Sequence, residues 1–393
     1  MSRTGPDMVG GKDRIHPVRG PLDPVTSTRL EKVFMSPPVL HVTGARPNFP
    51  KAAPVLRALD RLAIPQRLLH TGQHYGEQMF EVFFRQLGLP EPDINLGVGS
   101  ASHAGQTAAI MTGLEEVLID LRPALVVVYG DVNSTVAAAL VAAKLQIPVA
   151  HVEAGLRSFD RGMPEEINRL VTDRLSDLLF ATSPDAVAHL GNEGVRPDRI
   201  HLVGNPMIDT LLANLDRFDQ AAARALHHLA ARYVVATLHR PANVDRPDDA
   251  AELVKSLHAV ASQAEVVLPL HPRGRDSLRR AGLFDHPGVR VIDPLGYVEF
   301  LGLVRGAAAV VTDSGGVQEE TTVLGVPCLT IRANTERPVT ITHGTNRLVT
   351  RESLADEVDR CLAAGRPESW PTPPLWDGHA GERIAAVLAR FIG

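Results

Sequence analysis

Short runs of β-branched residues alternate with helix-like patterns along most of the chain. The runs read as continuous Val, Ile and Leu, which is typical of parallel strands buried on both faces. The ten predicted strands are Val39 to Thr43, Leu125 to Tyr129, Pro148 to Val152, Leu178 to Ala181, Ile200 to Val203, Tyr233 to Thr237, Glu265 to Leu270, Val289 to Ile292, Ala308 to Thr312 and Pro327 to Ile331. Strands that alternate with helices predict an α/β fold in which helices cover parallel sheets. We expect two doubly wound domains that face each other across a cleft.

The predicted strands fall into two groups separated by a break near Asn205 and Pro206. Residues 1–37 are rich in Gly, Pro and charge and show no sustained period, so we predict a disordered leader there. Residues 38–205 and 206–372 are then the two domains. After the proline-rich stretch Pro367 to Pro374, residues 373–393 contain a helical pattern with one apolar face. We expect that last helix to pack back on the first domain.

Composition narrows the class of protein. A chain of 393 residues has room for about two ordinary domains. A formal net charge of -5 argues against nucleic acid as the main partner. Only two cysteines occur, and their spacing is not that of a metal or redox motif, which favours reduced thiols. No stretch has the apolar length of a membrane span or a signal sequence. We therefore expect a cytoplasmic protein with no membrane partner.

Glycines and charged residues follow almost every predicted strand. In open parallel sheets, ligands bind beyond the carboxyl ends of the strands. The most specific stretch is the segment Asp313 to Glu320, in which Ser314, Gly315 and Gly316 lead from a strand into a helix. Backbone N–H groups at such a helix start form an anion cradle. We expect Glu319 only to complement the helix dipole, whereas Glu320 can turn inward and accept two ribose hydroxyls.

A second candidate anion site follows the first strand, where Gly44, Arg46 and Lys51 occur in a strand-to-helix turn. The alternative is that both cations are solvated surface residues. Cations near a helix N-terminus are unfavourable to the helix dipole unless an anion lies between them. We therefore favour a binding role for Arg46 and Lys51.

Three carboxylates occur close together in sequence: Asp131, Glu153 and Glu165. Structural roles are available for two of them, since Asp131 can cap a helix and Glu165 can pair with Arg169 one helical turn later. Glu153 follows a buried strand, and burial should raise the pKa of its carboxyl group. We interpret the three as an acid/base set.

Two histidines also follow strands. His239 lies before Arg240 and can donate to a leaving diphosphate, while His271 is equally compatible with a structural role. The sequence contains no Asp-x-Asp triplet, so a Mg²⁺-clamped diphosphate is not expected. Arg46, Lys51, His239 and the glycine cradle would supply the positive charge instead.

These segments, in this order, resemble the non-hydrolysing UDP-N-acetylglucosamine 2-epimerase family from about residue 39 onward. The matching stretches are GARPNFPKAAPV, TGQHYGEQM, YGDVNSTVAAALVAA, HVEAGLRSFDRGMPEEINR, HLVGNPMIDTL, TLHRPANVD, TDSGGVQEE and TERPVTITHGTNRLV. The resemblance implies two Rossmann-like domains in the GT-B arrangement, with the active site between them. It also implies a homodimer.

The reaction implied by the resemblance interconverts UDP-N-acetylglucosamine and UDP-N-acetylmannosamine. UDP leaves in an anti elimination to a 2-acetamidoglucal and then adds back, without a metal or a redox cofactor. The resemblance assigns residues to two roles. The catalytic residues are Asp131, Glu153, Glu165 and His239; the substrate-binding residues are Arg46, Lys51, Arg169, His271, Ser314, Gly315, Gly316, Glu320 and Arg337. It leaves open which carboxylate is the base and which the acid.

Three other functions share much of this pattern. A hydrolysing epimerase would release free N-acetylmannosamine and UDP. A GT-B glycosyltransferase would need an acceptor, and the three carboxylates of the first domain argue against it. A non-catalytic nucleotide-sugar sensor would not need Asp131, Glu153, Glu165 and His239 together.

Overall fold

A computed structural model of the chain describes residues 36–72, 84–270 and 272–393. The predicted leader therefore lies outside the described residues, apart from Ser36 and Pro37. Most of the TGQHYGEQM stretch and His271 also lie outside them.

The first half of the chain forms one parallel sheet whose strand order is β3-β2-β1-β4-β5-β6-β7. Its elements are β1 (Val39–Thr43), α1 (Phe49–Arg61), β2 (Gln66–His70), β3 (Ile94–Asn95), α2 (His103–Leu121), β4 (Leu125–Tyr129), α3 (Asn133–Lys144), β5 (Val149–Ala154), α4 (Pro164–Leu175), β6 (Leu178–Ala181), α5 (Pro184–Asn192) and β7 (Ile200–Leu202). The segment Arg46–Asn48 forms a 3-10 turn between β1 and α1.

The second half forms another parallel sheet, with strand order β10-β9-β8-β11-β12-β13. Its elements are α6 (Pro206–Ala213), α7 (Gln220–Leu226), β8 (Tyr233–Thr237), α8 (Pro241–Val244), α9 (Pro247–Ala261), β9 (Glu265–Pro269), α10 (Pro272–Arg280), β10 (Val289–Ile292), α11 (Tyr297–Gly306), β11 (Ala309–Thr312), α12 (Gly315–Leu324), β12 (Cys328–Ile331), α13 (Val339–Thr342), β13 (Asn346–Val349) and α14 (Leu354–Ala364). The chain then ends in α15 (Ala380–Ile392).

Both sheets reverse their direction of winding at the centre. In the first sheet β1 pairs with both β2 and β4, and in the second β8 pairs with both β9 and β11. This is the Rossmann-like arrangement, and a crevice opens at the carboxyl ends of the strands where the order reverses. The predicted α/β fold with two Rossmann-like sheets, as in GT-B proteins, is confirmed.

All ten predicted strands occur at nearly the predicted bounds, but the sequence analysis missed β2, β3 and β13. β2 carries Gln66, Arg67 and His70 among only two leucines, β3 has two residues, and β13 is an edge strand. None of the three has the continuous apolar run of a strand buried on both faces. No helix in the described ranges has the length and apolar character needed to cross a membrane.

The last helix, α15, packs on the first, α1. Ile384 and Leu388 of α15 belong to the same buried cluster as Val55 and Leu59 of α1. The contact is close, because a Cβ atom on Gly381 would lie 2.7 Å from the backbone carbonyl of Pro54. The side chain of Asp209 in α6 accepts hydrogen bonds from the first two N–H groups of α15, at 3.1 and 2.7 Å.

Candidate active site

The carboxyl ends of the central strands carry the predicted site residues. β1 pairs with β4 and β4 pairs with β5, so the segments that follow these strands lie side by side. Lys51 is on α1 after β1, Asp131 follows β4, and Glu153 lies near the end of β5. The fold thereby brings together residues that are up to 102 positions apart in the chain.

Glu153 lies between two cations, one from each half of the chain. Its Oε2 atom forms an ion pair with Lys51 Nζ, and its Oε1 atom accepts a hydrogen bond of 2.8 Å from Arg337 Nη2. All three side chains are buried, with Lys51 4% and Glu153 3% exposed. Lys51 is therefore not a solvated surface cation, which settles one alternative left open by the sequence.

The pKa of Glu153 differs in direction from the sequence-based expectation. Burial alone would raise the pKa, but Lys51, Arg337 and His151 together lower it. The prediction of a raised pKa was wrong because it considered burial without the two cations, which come from distant segments. The carboxyl group of Glu153 is held in its ionised form.

The backbone of Glu153 is also unusual. Its φ angle is 75°, in the left-handed region that non-glycine residues seldom adopt, and the pairing of β5 with β6 shifts register at this residue. Room for the side chain comes from Gly130, where a Cβ atom would lie 3.0 Å from Glu153 Oε2 and 3.1 Å from Lys51 Nζ. Strained backbone of this kind costs roughly 1–3 kcal/mol and is typical of functional sites.

Asp131 is held by Arg169, whose Nη1 atom lies 2.5 Å from Asp131 Oδ2. Asp131 does not cap α3, because that helix begins at Asn133 and its N-cap residue is Val132. The second partner of Arg169 is Glu166 at 2.5 Å, rather than the predicted Glu165. Glu165 is half-buried, and its charge acts on Arg240 of the second half.

The turn after β1 is shaped by Asn48. Its Oδ1 atom accepts hydrogen bonds of 3.0 Å from the N–H groups of Gly44 and Ala45, and its Nδ2 atom donates to the Tyr129 carbonyl at 2.7 Å. Arg46 is half-buried in this turn. Asn48 therefore fixes the backbone that presents Arg46 near the start of α1.

The strand-to-helix turn that was predicted to form an anion cradle lies at the start of α12. Ser314 is the N-cap residue, and Gly315 and Gly316 open the helix. The first N–H groups of an α-helix have no partner within the helix and can bind an anion. A Cβ atom on Gly315 would lie 2.3 Å from Arg337 Nη1, so only glycine lets the guanidinium lie against the cradle.

Two glutamates in α12 are buried next to this cradle. Glu319 is 1% exposed and its Oε1 atom lies 2.9 Å from Arg337 Nε, so the prediction that it only complements the helix dipole was wrong. Burial raises the pKa of Glu319 to about 7, and Glu153 adds to the increase. Burial and the charge of Glu319 raise the pKa of Glu320 to about 8. Tyr297 beside this carboxyl group lowers the pKa of Glu320 by a smaller amount.

His239 lies at the end of β8, and its side chain is 59% exposed. Its Nδ1 atom lies 3.0 Å from Asp313 Oδ1, and its backbone N–H donates to the same carboxylate at 3.1 Å. Asp313 also accepts from the N–H of Arg240 at 2.9 Å and from Asn243 at 3.0 Å. Burial would raise the pKa of Asp313, but His239 and Asn243 lower it. The ionised Asp313 therefore orients His239 at the edge of the cleft.

Sequence reasoning missed Glu166, Glu336 and Arg332 as parts of the site. Glu336 is 3% exposed and pairs with Arg332 at 2.6 Å and with Arg337. The cations lower the pKa of Glu336 despite its burial, which alone would raise it. The adjacent Glu336 and Arg337 of the TERPVTITHGTNRLV stretch were the available signal, but nothing local indicates that Arg337 contacts Glu153 and Glu319.

The loop between β5 and α4 joins the two halves above this site. Asn334 Nδ2 donates to the Ser158 carbonyl at 3.2 Å, and Met163 Sδ lies 3.7 Å from Arg240 Nη1. Together with the pair Arg337–Glu153, these contacts connect the two halves at a cluster of charged groups. Such a site can bind an anion at the cradle and hold an ionised carboxylate beside it.

Comparison with known proteins identifies relatives that span nearly the whole described chain. Residues 57–389 match the sequence family described as UDP-N-acetylglucosamine 2-epimerase. The UDP-N-acetylglucosamine 2-epimerase of Methanocaldococcus jannaschii is 42% identical over 359 residues, which is 88% of this chain and 97% of the relative. The UDP-2,3-diacetamido-2,3-dideoxy-D-glucuronate 2-epimerase of Pseudomonas aeruginosa is 41% identical over 361 residues, which is 90% of this chain and 99% of the relative.

A solved structure shows the same fold. The Methanocaldococcus jannaschii UDP-GlcNAc 2-epimerase in complex with UDP-GlcNAc and UDP superposes with a TM-score of 0.84 at 41% identity, covering 90% of this chain and 99% of that chain. The resemblance read from the motifs is thereby confirmed. The chain is a member of the UDP-N-acetylglucosamine 2-epimerase family.

Proposed function

We propose that the protein inverts C2 of UDP-N-acetylglucosamine and so interconverts it with UDP-N-acetylmannosamine. The observation that carries this proposal is the position of Arg337, which contacts Glu153 and lies against Gly315 of the anion cradle. An ionised carboxylate can take a proton, and the cradle can receive a diphosphate. A nucleotide sugar is a substrate that needs both groups at this spacing.

The proposed reaction is an elimination followed by the reverse addition. A carboxylate takes the C2 proton, the C2–H electron pair forms the C1–C2 double bond, and the C1–O bond breaks with its pair leaving on UDP. The glycal then receives a proton on the opposite face of C2, and a UDP oxygen bonds to C1 again. Electrons balance without an oxidant, so the step requires no redox cofactor. Hydrogen-bond donors that meet the leaving diphosphate stabilise its charge in the transition state.

We assign the proton transfers to Asp131, Glu153 and Glu165. Support for Glu153 is its lowered pKa, which keeps it ionised, and support for Asp131 is its pair with Arg169. We assign binding of the diphosphate and the sugar to two sets of residues. The first half supplies Arg46 and Lys51; the second half supplies His239, His271, Ser314, Gly315, Gly316 and Arg337. Glu320 is assigned to the ribose hydroxyls.

A second candidate substrate is a UDP-linked 2,3-diacetamido-2,3-dideoxyuronic acid. The Pseudomonas relative named for this substrate is 41% identical, against 42% for the relative named for UDP-N-acetylglucosamine. The C2 chemistry is the same for both sugars. They differ at C3 and C6, so residues outside the proton-transfer set decide between them.

The test is incubation with each UDP-sugar in D₂O, with a chelator present, followed by proton NMR of the sugar. The proposal expects the C2 epimer to appear with deuterium at C2. Free N-acetylmannosamine and UDP would instead assign the protein to hydrolysing epimerases. Conversion of the diacetamidouronate alone would select the second substrate, and turnover only with an added acceptor would indicate a glycosyltransferase.

We further propose that the protein works in the cytoplasm as a homodimer. Both cysteines, Cys328 and Cys361, are free, which fits a reducing compartment. Light scattering after size-exclusion chromatography tests the assembly, since a monomer mass at micromolar concentration would reject the dimer.

A further inference from the structure

The guanidinium of Arg337 contacts a different carboxylate with each of its three nitrogens. Its Nε atom lies 2.9 Å from Glu319, its Nη1 atom contacts Glu336, and its Nη2 atom lies 2.8 Å from Glu153. Glu319 and Glu336 belong to the second half, and Glu153 belongs to the first. The two carboxylates of the second half therefore set the plane in which Nη2 points toward Glu153.

Glu336 alone cannot set that plane, because it is shared. Its carboxylate pairs with Arg332 at 2.6 Å and lies 3.8 Å from Arg240. Among the described residues, Glu319 forms an ion pair with Arg337 and with no other cation. Glu319 is therefore the more direct control on where the guanidinium lies.

We propose that Glu319 is a positioning residue that holds Arg337 between the anion cradle and Glu153. With Glu319 ionised, Nε is anchored and the guanidinium stays against Gly315, where a leaving diphosphate would meet it. Without that anchor, Arg337 keeps its contacts with Glu336 and Glu153 but loses the one that fixes Nε, so the guanidinium can turn away from the cradle. This proposal rests on the proposed epimerase function for its kinetic effect, but not for its effect on anion binding.

The surroundings of Glu319 make its charge sensitive to pH. Arg337 and Lys51 favour the ionised form, whereas Glu153 and the adjacent Glu320 oppose it. The side chain is 1% exposed, and neither its Oε2 atom nor Arg337 Nε has a hydrogen-bond partner among the described residues, so the contact between the two side chains is an ion pair. Burial is the largest influence and raises the pKa of Glu319 to about 7. The anchor on Arg337 is therefore present above this pH and lost as the pH falls through it.

The kinetic test compares Glu319→Gln with Glu319→Asp and with the control Glu265→Gln. Glu265 pairs with Arg290 at 2.6 Å in the same half, away from the site. Loss of one buried ion pair predicts a kcat about tenfold lower in Glu319→Gln with KM changed by less than about threefold. The wild-type fall in kcat/KM below about pH 7 should be absent in Glu319→Gln, kept in Glu319→Asp and unchanged in Glu265→Gln. Any fall that remains at higher pH in Glu319→Gln belongs to Glu320. A Glu319→Gln profile that matches the wild type, with only the unfolding free energy reduced, overturns the proposal.

A binding test separates this proposal from the proposed function. Calorimetric titration with UDP measures the Kd of the variant and of the wild type at each pH. We compare the ratio of these two Kd values, because the protonation of UDP itself affects both proteins equally. We expect a ratio of about ten at about pH 8.5 and near one at about pH 6 for Glu319→Gln, since only the ionised anchor is removed. A ratio that does not change with pH overturns the positioning role. A wild-type protein that binds UDP but converts no UDP-sugar overturns the function and leaves the positioning role standing.

Discussion

Arg337 Nη2 lies 2.8 Å from Glu153 Oε1, and this ion pair joins the second half of the chain to the first inside a buried site. The arginine thereby contacts both the carboxylate at the end of one sheet and the anion cradle of the other. The same side chain therefore contributes both to the contact between the two halves and to the ionised state of the proposed base.

Glu153→Gln should abolish most turnover and also destabilise the fold. Neutralising the carboxylate leaves Lys51 and Arg337 buried with less negative charge, and breaking a buried pair costs about 3–5 kcal/mol. Loss of the proposed base should lower kcat by about 10²–10⁴. The NMR assay and urea unfolding measure the two effects.

The matched control is Glu357→Gln, whose partners Arg347 and Arg360 are exposed. We expect this variant to lose about 0–1 kcal/mol of unfolding free energy. Wild-type stability in Glu153→Gln would contradict the buried ion-pair arrangement.

Gly315→Ala should weaken UDP binding more than Gly316→Ala does. A Cβ atom on Gly315 would lie 2.3 Å from Arg337 Nη1, so the guanidinium must leave the cradle. A Cβ atom on Gly316 would lie 3.5 Å from Met207, which is an ordinary contact. Loss of a charged hydrogen bond to the diphosphate corresponds to a Kd about tenfold or more higher for Gly315→Ala. Calorimetry with UDP checks this, and equal affinities for the two variants would show that Arg337 does not contact the diphosphate.

The ligand-free protein should lose stability as the pH rises from about 5 to 8 because of Glu320. Its pKa is raised from 4.5 to about 8 by burial and by Glu319, so the folded chain keeps a proton that the unfolded chain releases in this window. The unfolded state binds fewer protons there, and the free energy of unfolding therefore falls with increasing pH. Glu320→Gln cannot ionise and should show a smaller decline. Urea midpoints across this pH range provide the measurement, and parallel declines in both proteins would rule out the buried carboxyl group as the cause.

Gly381→Ala should destabilise the protein without touching the site. The new Cβ atom would lie 2.7 Å from the carbonyl group of Pro54, and neither backbone can yield without moving α15 or α1. Overpacking of this kind costs about 1–3 kcal/mol. Gly191→Ala is the matched control, since it also lies in a helix but its Cβ atom would meet nothing within 4 Å. Urea unfolding should give a lower free energy of unfolding for Gly381→Ala than for Gly191→Ala. An unchanged free energy of unfolding in Gly381→Ala would mean that α15 does not pack as described.

The sequence predicted the parts of the fold that depend on local patterns. Continuous apolar runs located the central strands. β2 and β13 were missed because they carry polar residues, which are tolerated in strands that are not fully buried on both faces. The glycines of the cradle were predicted because the helix start is a local feature. In contrast, the lowered pKa of Glu153 depends on Lys51 and Arg337, which are 102 and 184 positions away. No periodicity or spacing carries that information.

The two misassigned glutamates have the same explanation. Glu165 and Glu166 both lie in the first turn of α4, and Glu319 and Glu320 both lie in α12. Helical spacing alone cannot decide which member of each pair faces an arginine. Only the packed structure shows that Glu166 meets Arg169 and that Glu319 meets Arg337.

The packing of α15 on α1 has a consequence for how the chain is made. The first sheet and its helices leave the ribosome early, but Val55 and Leu59 of α1 are covered by Ile384 and Leu388, which follow the whole second sheet in the chain. Domains usually fold as units in the order of their synthesis, and exposed apolar surface promotes aggregation while it waits. For this chain the first half cannot complete its core until the second sheet has been translated, so the face of α1 that α15 covers stays exposed in the nascent protein.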